Sequence, residues 1–249
     1  MTYQRSFHAS LLASVLTLLS ACSQPTSDAS APLPAEASAN APVYMFNTLP
    51  VSADAQTAFL DAMRENVRGS RAEAGNISFD AFVDEEGQNS HVYLFERWSD
   101  QAALNAHMKT PHLQAVAERA ASALSSPEVS LKLTEIAPET ASTHAPLADP
   151  ATSRNIVVVF DIKPEARQTF LDALAEVIPQ ARQAPGNHTF ELYQVLDKEN
   201  TFVLYERWTD IASHEAHLGQ PYSLKLDGIV PGTLAAPIQR HLLTDVVAD

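Results

Sequence analysis

The chain has 249 residues, a formal net charge of −14 and 45% hydrophobic residues, enough to bury the cores of two small domains. Thirty acidic side chains against 16 basic ones, with no basic run, exclude nucleic acid as a partner, because phosphate binding needs clustered Lys and Arg. A single cysteine excludes an internal disulfide.

From the N-terminus, Arg5 precedes an almost wholly apolar run over residues 9–21. That run is too short for a membrane span, which needs about 20 apolar residues. It ends in Leu19-Ser20-Ala21-Cys22, which resembles the lipobox of bacterial lipoproteins. The resemblance implies a signal peptide over residues 1–21, cleavage before Cys22 and lipidation of that cysteine. Ser23 follows, with no acidic residue to favour the inner membrane, so a lipid anchor in the outer membrane facing the periplasm is expected. After Cys22, residues 23–42 hold no aromatic and almost no large apolar side chain, and the segment 22–42 reads as a flexible tether.

The first globular unit spans residues 43–137. An apolar run over 43–49 has strand length, and residues 50–52 open a helix whose Phe59, Met63 and Val67 recur at helical spacing. Ala74-Gly75-Asn76 is a turn, and strands over 77–84 and 91–98 flank Gly87. Ser99 is placed to cap the next helix, Thr110-Pro111 restarts it, and a strand over 128–136 closes the unit. A linker over 138–153 follows.

The second unit, 154–247, repeats the first. Phe59-Leu60-Asp61-Ala62 returns as Phe170-Leu171-Asp172-Ala173, and Leu94-Phe95-Glu96-Arg97-Trp98 as Leu204-Tyr205-Glu206-Arg207-Trp208. Ala106-His107 returns as Ala216-His217, and both tryptophans hold the same repeat position. Each unit therefore reads β-α-β-β-α-β, the ferredoxin-like order of an α+β fold. One such sheet has a bare face, and the second copy is its natural cover. Two tandem ferredoxin-like domains forming an intrachain pseudo-dimer, a dimeric α/β-barrel within one chain, are expected.

The stretches ERWSDQAALNAHMKTPHL and ERWTDIASHEAHLGQPYS resemble the antibiotic biosynthesis monooxygenase (ABM) family. The resemblance implies a dimeric α/β-barrel and a monooxygenase that uses dioxygen on a small aromatic, quinol-like substrate with no cofactor. A non-catalytic small-molecule-binding lipoprotein of the same fold is the alternative, and isomerases and haem-degrading enzymes share the family. Haem is disfavoured, because the helix position where such relatives place their axial histidine holds Ala117, and Asp161 is read in place of Asn47 in the second copy. No metal-ligand spacing stands out, since His107 and His112 lie five apart and the second copy keeps one histidine of the two.

Period-two alternation puts Val92, Glu96 and Trp98 on one face of their strand and Tyr93, Phe95 and Arg97 on the other. His107 and His217 follow the tryptophans closely enough to return over the strand ends. They are candidate general bases, with Glu96 and Glu206 as the carboxylates that orient them. Trp98, Trp208, Phe79 and Phe190 are candidate ring contacts. Asn76 and Asn187 are candidate donors to a carbonyl or a reduced-oxygen intermediate, and Asn47 joins the substrate-binding set. For the anchor, Cys22→Ser is expected to move the protein from the membrane fraction to the soluble one, read by fractionation and immunoblot. Continued membrane association of the variant contradicts it.

Overall fold

A computed structural model describes residues 41–85, 91–136 and 147–246. The leader, Cys22, nearly all of the tether, the Gly87 turn and residues 138–146 of the linker lie outside the described residues.

The first copy runs β1 (Val43–Pro50), α1 (Gln56–Arg71), β2 (Asn76–Asp84), β3 (His91–Trp98), α2 (Gln101–His107), α3 (Pro111–Ala123) and β4 (Val129–Glu135). The second runs β5 (Arg154–Asp161), α4 (Arg167–Arg182), β6 (Asn187–Val195), β7 (Lys198–Trp208), α5 (Ile211–Leu218), α6 (Pro221–Thr233) and β8 (Gln239–Asp245). Residues 50–52 do not open the first helix: Pro50 ends β1, and α1 starts at Gln56. Nor do Ser99 and Thr209 cap. Asp100 and Asp210, one residue on, accept the backbone N–H of Ala103 and Ser213, each at 2.7 Å. The proline restarts stand as read, with Pro111 and Pro221 in the first turns of α3 and α6.

Gly75 and Gly186 have φ of 85° and 80°, a region costly for any residue with a Cβ. Each also sits against the next helix. A Cβ on Gly75 would lie 2.7 Å from the side chains of Ala103 and Ser99. These turns fix how each helix hairpin returns over its strands.

The two sheets do not stack as separate layers. They join edge to edge in a closed barrel of order β1-β3-β2-β8-β5-β7-β6-β4. The last strand of each copy pairs with its own first strand and with the other copy's second strand, so β4 joins β6 and β8 joins β2. Closure leaves no edge with unpaired backbone groups.

Alternation along each strand divides the side chains between two environments. Val92, Leu94 and Trp98 pack outward under α1, α2 and α3, and Leu204 and Trp208 do so in the second copy. Phe46, Phe95, Tyr193 and Tyr205 fill the barrel, where Phe95 and Tyr205 stack with centroids 4.1 Å apart.

Two arginines lie within that aromatic interior. Arg97 donates to Glu191 of the second copy and, at 2.8 Å, to Ser78. Arg207 donates to Asp80 of the first copy (2.8 Å), to Asp245 (2.6 Å) and to Asn155 (2.8 Å). By repeat alignment Glu191 is the counterpart of Asp80, so each arginine reaches across the pseudo-dyad to the other copy's carboxylate. Burial pushes the Asp80 carboxyl up, but Arg207, Arg97 and Arg71 together hold it below the usual value.

Arg207→Ala is expected to lower the unfolding free energy by about 3–5 kcal/mol, because Asp80 and Asp245 lose a buried counter-charge. Arg64→Ala breaks only an exposed pair with Asp61 and is expected to cost at most about 1 kcal/mol. Denaturant melts of both variants measure the difference.

Candidate active site

A cavity of about 300 Å³ opens between the outer face of β1 and β3 and the three helices of the first copy. Its walls are mostly apolar, with Met45, Leu49, Met63, Leu94, Leu104 and Val116 among them. Asn47, Glu96, His107 and Glu128 bring polar groups to the same space. The second copy has a cavity of about 170 Å³ lined by Phe190, Glu206, His217, Ser223, Asp227 and Arg240 among others, and a more open cleft of about 480 Å³ between the ends of α4 and α5 that also borders His217.

Glu96 is buried in β3. The Asn47 amide donates to its Oε1 (2.7 Å) and the Trp98 indole N–H to its Oε2 (3.1 Å). Burial pushes its pKa up to about 7 despite these donors, and Glu128 adds to the rise. Among the described residues Glu206 accepts from the Trp208 indole N–H (3.0 Å) and has no counterpart of the Asn47 amide, and burial again raises its pKa to about 7. Both groups stand near half-protonation in neutral solution.

His107 ends α2, buried against Trp98 and Phe79 with ring centroids 4.5 and 5.5 Å away. Its Nδ1 lies 2.7 Å from Glu73 Oε1. The carboxylate that orients His107 is therefore Glu73, not Glu96, because the loop after α1 brings Glu73 to the outer side of the ring. With the Nδ1 proton held by Glu73, Nε2 carries the lone pair, and among the described residues no side chain hydrogen-bonds to it.

His217 is placed differently. Its Nδ1 meets the Tyr222 hydroxyl at 2.9 Å, and the Ser223 hydroxyl lies 3.3 Å from its Nε2. Glu206 does not orient it, and the histidine near that carboxylate is His214, at 4.0 Å. Burial lowers the pKa of His217 to about 4.

The remaining expected site residues divide. Asn47 and Phe190 line cavities. Trp98, Trp208 and Phe79 are fully buried behind the cavity walls, where they support Glu96, Glu206 and His107 rather than face the open space. Asn76 and Asn187 sit at the bulged starts of β2 and β6 and donate to the carbonyls of Ser78 and Thr189. They are turn residues that border neither cavity. Strand register also corrects one equivalence: Asn47 pairs with Leu94 and Val158 with Leu204, so Val158 replaces Asn47. Asp161 lies at the end of β5 and accepts from Thr201 at 2.7 Å.

The family model described as antibiotic biosynthesis monooxygenase matches residues 42–119 and 154–226, more than half of the chain. The chain belongs to the ABM family. The isomerase of (4S)-4-hydroxy-5-phosphonooxypentane-2,3-dione from Yersinia enterocolitica is 40% identical over 62 residues, 25% of this chain and 64% of that protein. The monooxygenase-like protein YcnE of Bacillus subtilis is 36% identical over 56 residues, 22% of this chain and 59% of that protein. The chain thus spans about three fifths of the length of these two relatives. A monooxygenase-like protein from Fusobacterium nucleatum superposes with a TM-score of 0.71 over 83% of this chain and 93% of its own, at 18% identity, which shows a shared fold. As an ABM protein, the chain carries two copies of a unit that most of the helix-and-strand pattern had already marked as paired.

The buried Glu206 makes a pH prediction. Its folded pKa of about 7 exceeds the usual 4.5, so the folded state holds the proton more tightly. The stability this contributes is complete below about pH 4.5 and is lost as pH rises through 7. Glu206→Gln, with one carboxylate oxygen position free for the amide NH2, is expected to flatten that decline by up to about 3 kcal/mol. Thermal melts between pH 4.5 and 7.5 measure it, and parallel curves for the two proteins contradict it.

Proposed function

We propose that this ABM protein is a cofactor-independent monooxygenase that oxidises a small quinol with dioxygen, and that the first copy holds the working site. One observation carries the reading: His107, its Nδ1 fixed by Glu73 and its Nε2 without a hydrogen-bond partner among the described residues, borders a mostly apolar cavity beside Glu96. An engineered cavity of about 150 Å³ accommodates benzene, so about 300 Å³ suits a phenol of one or two rings.

In the proposed reaction His107 takes a phenolic proton, and the electron-rich anion passes one electron to dioxygen. The resulting radical pair forms a carbon–oxygen bond, and protonation gives a ring hydroperoxide. Loss of water from it leaves a hydroxyquinone. One oxygen atom enters the product, the other leaves as water, and the substrate supplies the electrons. Glu96, near half-protonation, hydrogen-bonds to the second ring oxygen, and the apolar walls exclude bulk water. Burial disfavours the protonated form of His217, which suits it poorly to the same task.

The isomerase relatives suggest a phosphorylated substrate instead. Among the described residues no Lys or Arg lines the first-copy cavity, whereas two carboxylates do, which favours a neutral aromatic. We further propose that the protein works at the cell envelope, held by Cys22.

Oxygen uptake with a panel of benzo- and naphthohydroquinones tests the activity. His107→Ala is expected to slow it by about 10²–10⁴-fold, and His217→Ala by far less. Uptake by wild type no faster than by the His107→Ala/His217→Ala double variant leaves a binding protein in place of an enzyme.

A further inference from the structure

His107 also belongs to a second cluster, whose other members, Glu73 and His112, do not line the cavity. The ligand atoms of Glu73, His107 and His112 all lie within 4.8 Å of one another. Glu73 Oε1 is 2.7 Å from His107 Nδ1 and 3.3 Å from His112 Nε2. Three separate elements contribute: the loop after α1, the end of α2 and the start of α3.

The protonation of His112 follows from its neighbours. The Thr110 hydroxyl donates its one proton to the His107 carbonyl at 2.8 Å, so toward His112 Nδ1, at 3.3 Å, it offers a lone pair. Asn66 Oδ1 accepts from the same Nδ1 at 2.8 Å. The Nδ1 of His112 thus carries the hydrogen, and its Nε2 lone pair faces a carboxylate oxygen. Two acceptors that face each other at 3.3 Å are reconciled by a proton or by a metal cation between them. The bond from Nδ1–H to Asn66 is also the kind of outer contact that fixes the tautomer of a ligating histidine.

The spacing suits a small cation. Bonds of 2.0–2.1 Å at tetrahedral angles put neighbouring ligand atoms about 3.3 Å apart. The Glu73–His112 separation already has that value, and the Glu73–His107 pair reaches it by opening its hydrogen bond about half an ångström. The side chains of Glu73 and His112 are 15% and 20% exposed, against 2% for His107, so the cluster has an entrance from solvent.

The second copy serves as an internal control. By repeat alignment Val177 stands for Asn66, Ala184 for Glu73 and Tyr222 for His112. Gln180 stands for Gly69, where any Cβ would lie 2.4 Å from the His112 ring. Two ligands, the outer hydrogen-bond partner and the glycine that makes room are all replaced together, while His217 is kept.

We infer that Glu73, His107 and His112 form a binding site for one divalent transition-metal ion of the zinc class, present in the first copy alone. Two imidazole nitrogens and a carboxylate oxygen suit such an ion, and a fourth position faces solvent. Occupancy displaces the Nδ1 proton of His107, so on the functional reading above the metal state governs the base. Binding itself does not depend on that reading.

Calorimetric titration of Zn²⁺ into untagged, EDTA-treated full-length protein tests the site, with Co²⁺ absorption as a second readout of ligand geometry. The expected result is one equivalent bound per chain. Glu73→Ala and His112→Tyr, which install the residues the second copy carries, are each expected to weaken binding more than the roughly 10–100-fold lost with an outer contact. Asn66→Ala is expected to fall within that range. Circular dichroism checks that the variants fold. Absence of binding, two equivalent sites, or affinity unchanged in both ligand variants overturns the inference. Zinc binding by a wild-type protein that shows no oxygen uptake counts against the functional reading alone.

Discussion

Two buried guanidinium groups, each paired with a carboxylate from the opposite half of the chain, set the terms for the rest of the molecule. Arg97 and Arg207 are all but inaccessible to water, and the barrel would be an expensive place for either without Glu191, Asp80 and Asp245. The pairing is reciprocal, so each half draws on the other for a partner, in addition to Asp80 beside Arg97 and Asp245 beside Arg207 within the halves themselves. A hydrophobic barrel would hold the halves together with little preference for register. Ion pairs of fixed geometry add that preference, because a slip of one residue would turn the arginines to the outer face and leave the carboxylates alone.

With the interior so occupied, the open space in this fold lies outside the barrel, under the helices. That explains why the candidate chemistry belongs to outward-facing residues of β1 and β3 and to the ends of short helices. Trp98 and Trp208 join the two regions. Each fills the layer between sheet and helices while its indole N–H holds a glutamate that borders the cavity.

Much of this was legible in the sequence. The duplicated Glu-Arg-Trp segment marked the repeat, helical and strand periods gave the element order, and alternation placed Arg97 opposite Glu96. The reciprocal partners were not legible, because Asp80 and Glu191 meet their arginines only once the barrel has closed. Glu73 was missed for a related reason. It lies in a loop with no periodic signal, and its three-dimensional partner is far along the chain. The clue available was negative: positions 73 and 184 differ between copies that share the Arg before them and the Gly-Asn after them, and 112 and 222 differ just after a shared proline. Trp98 was read as a ring contact because its residue type and position suit one. Its indole N–H, which seeks an acceptor when buried, is what turns it toward Glu96.

The seam between β2 and β8 has a consequence for how the molecule is made. Phe82 pairs with Asp245, so the first copy's sheet is completed by the last strand of the second copy. During synthesis the N-terminal half emerges with its β2 edge unpaired, and it stays so until β8 is released. The closing step therefore joins the most distant parts of the fold, a late and slow event of high contact order. Until then the nascent protein carries an exposed strand edge, and its exposure to aggregation lasts through the synthesis of the whole second copy.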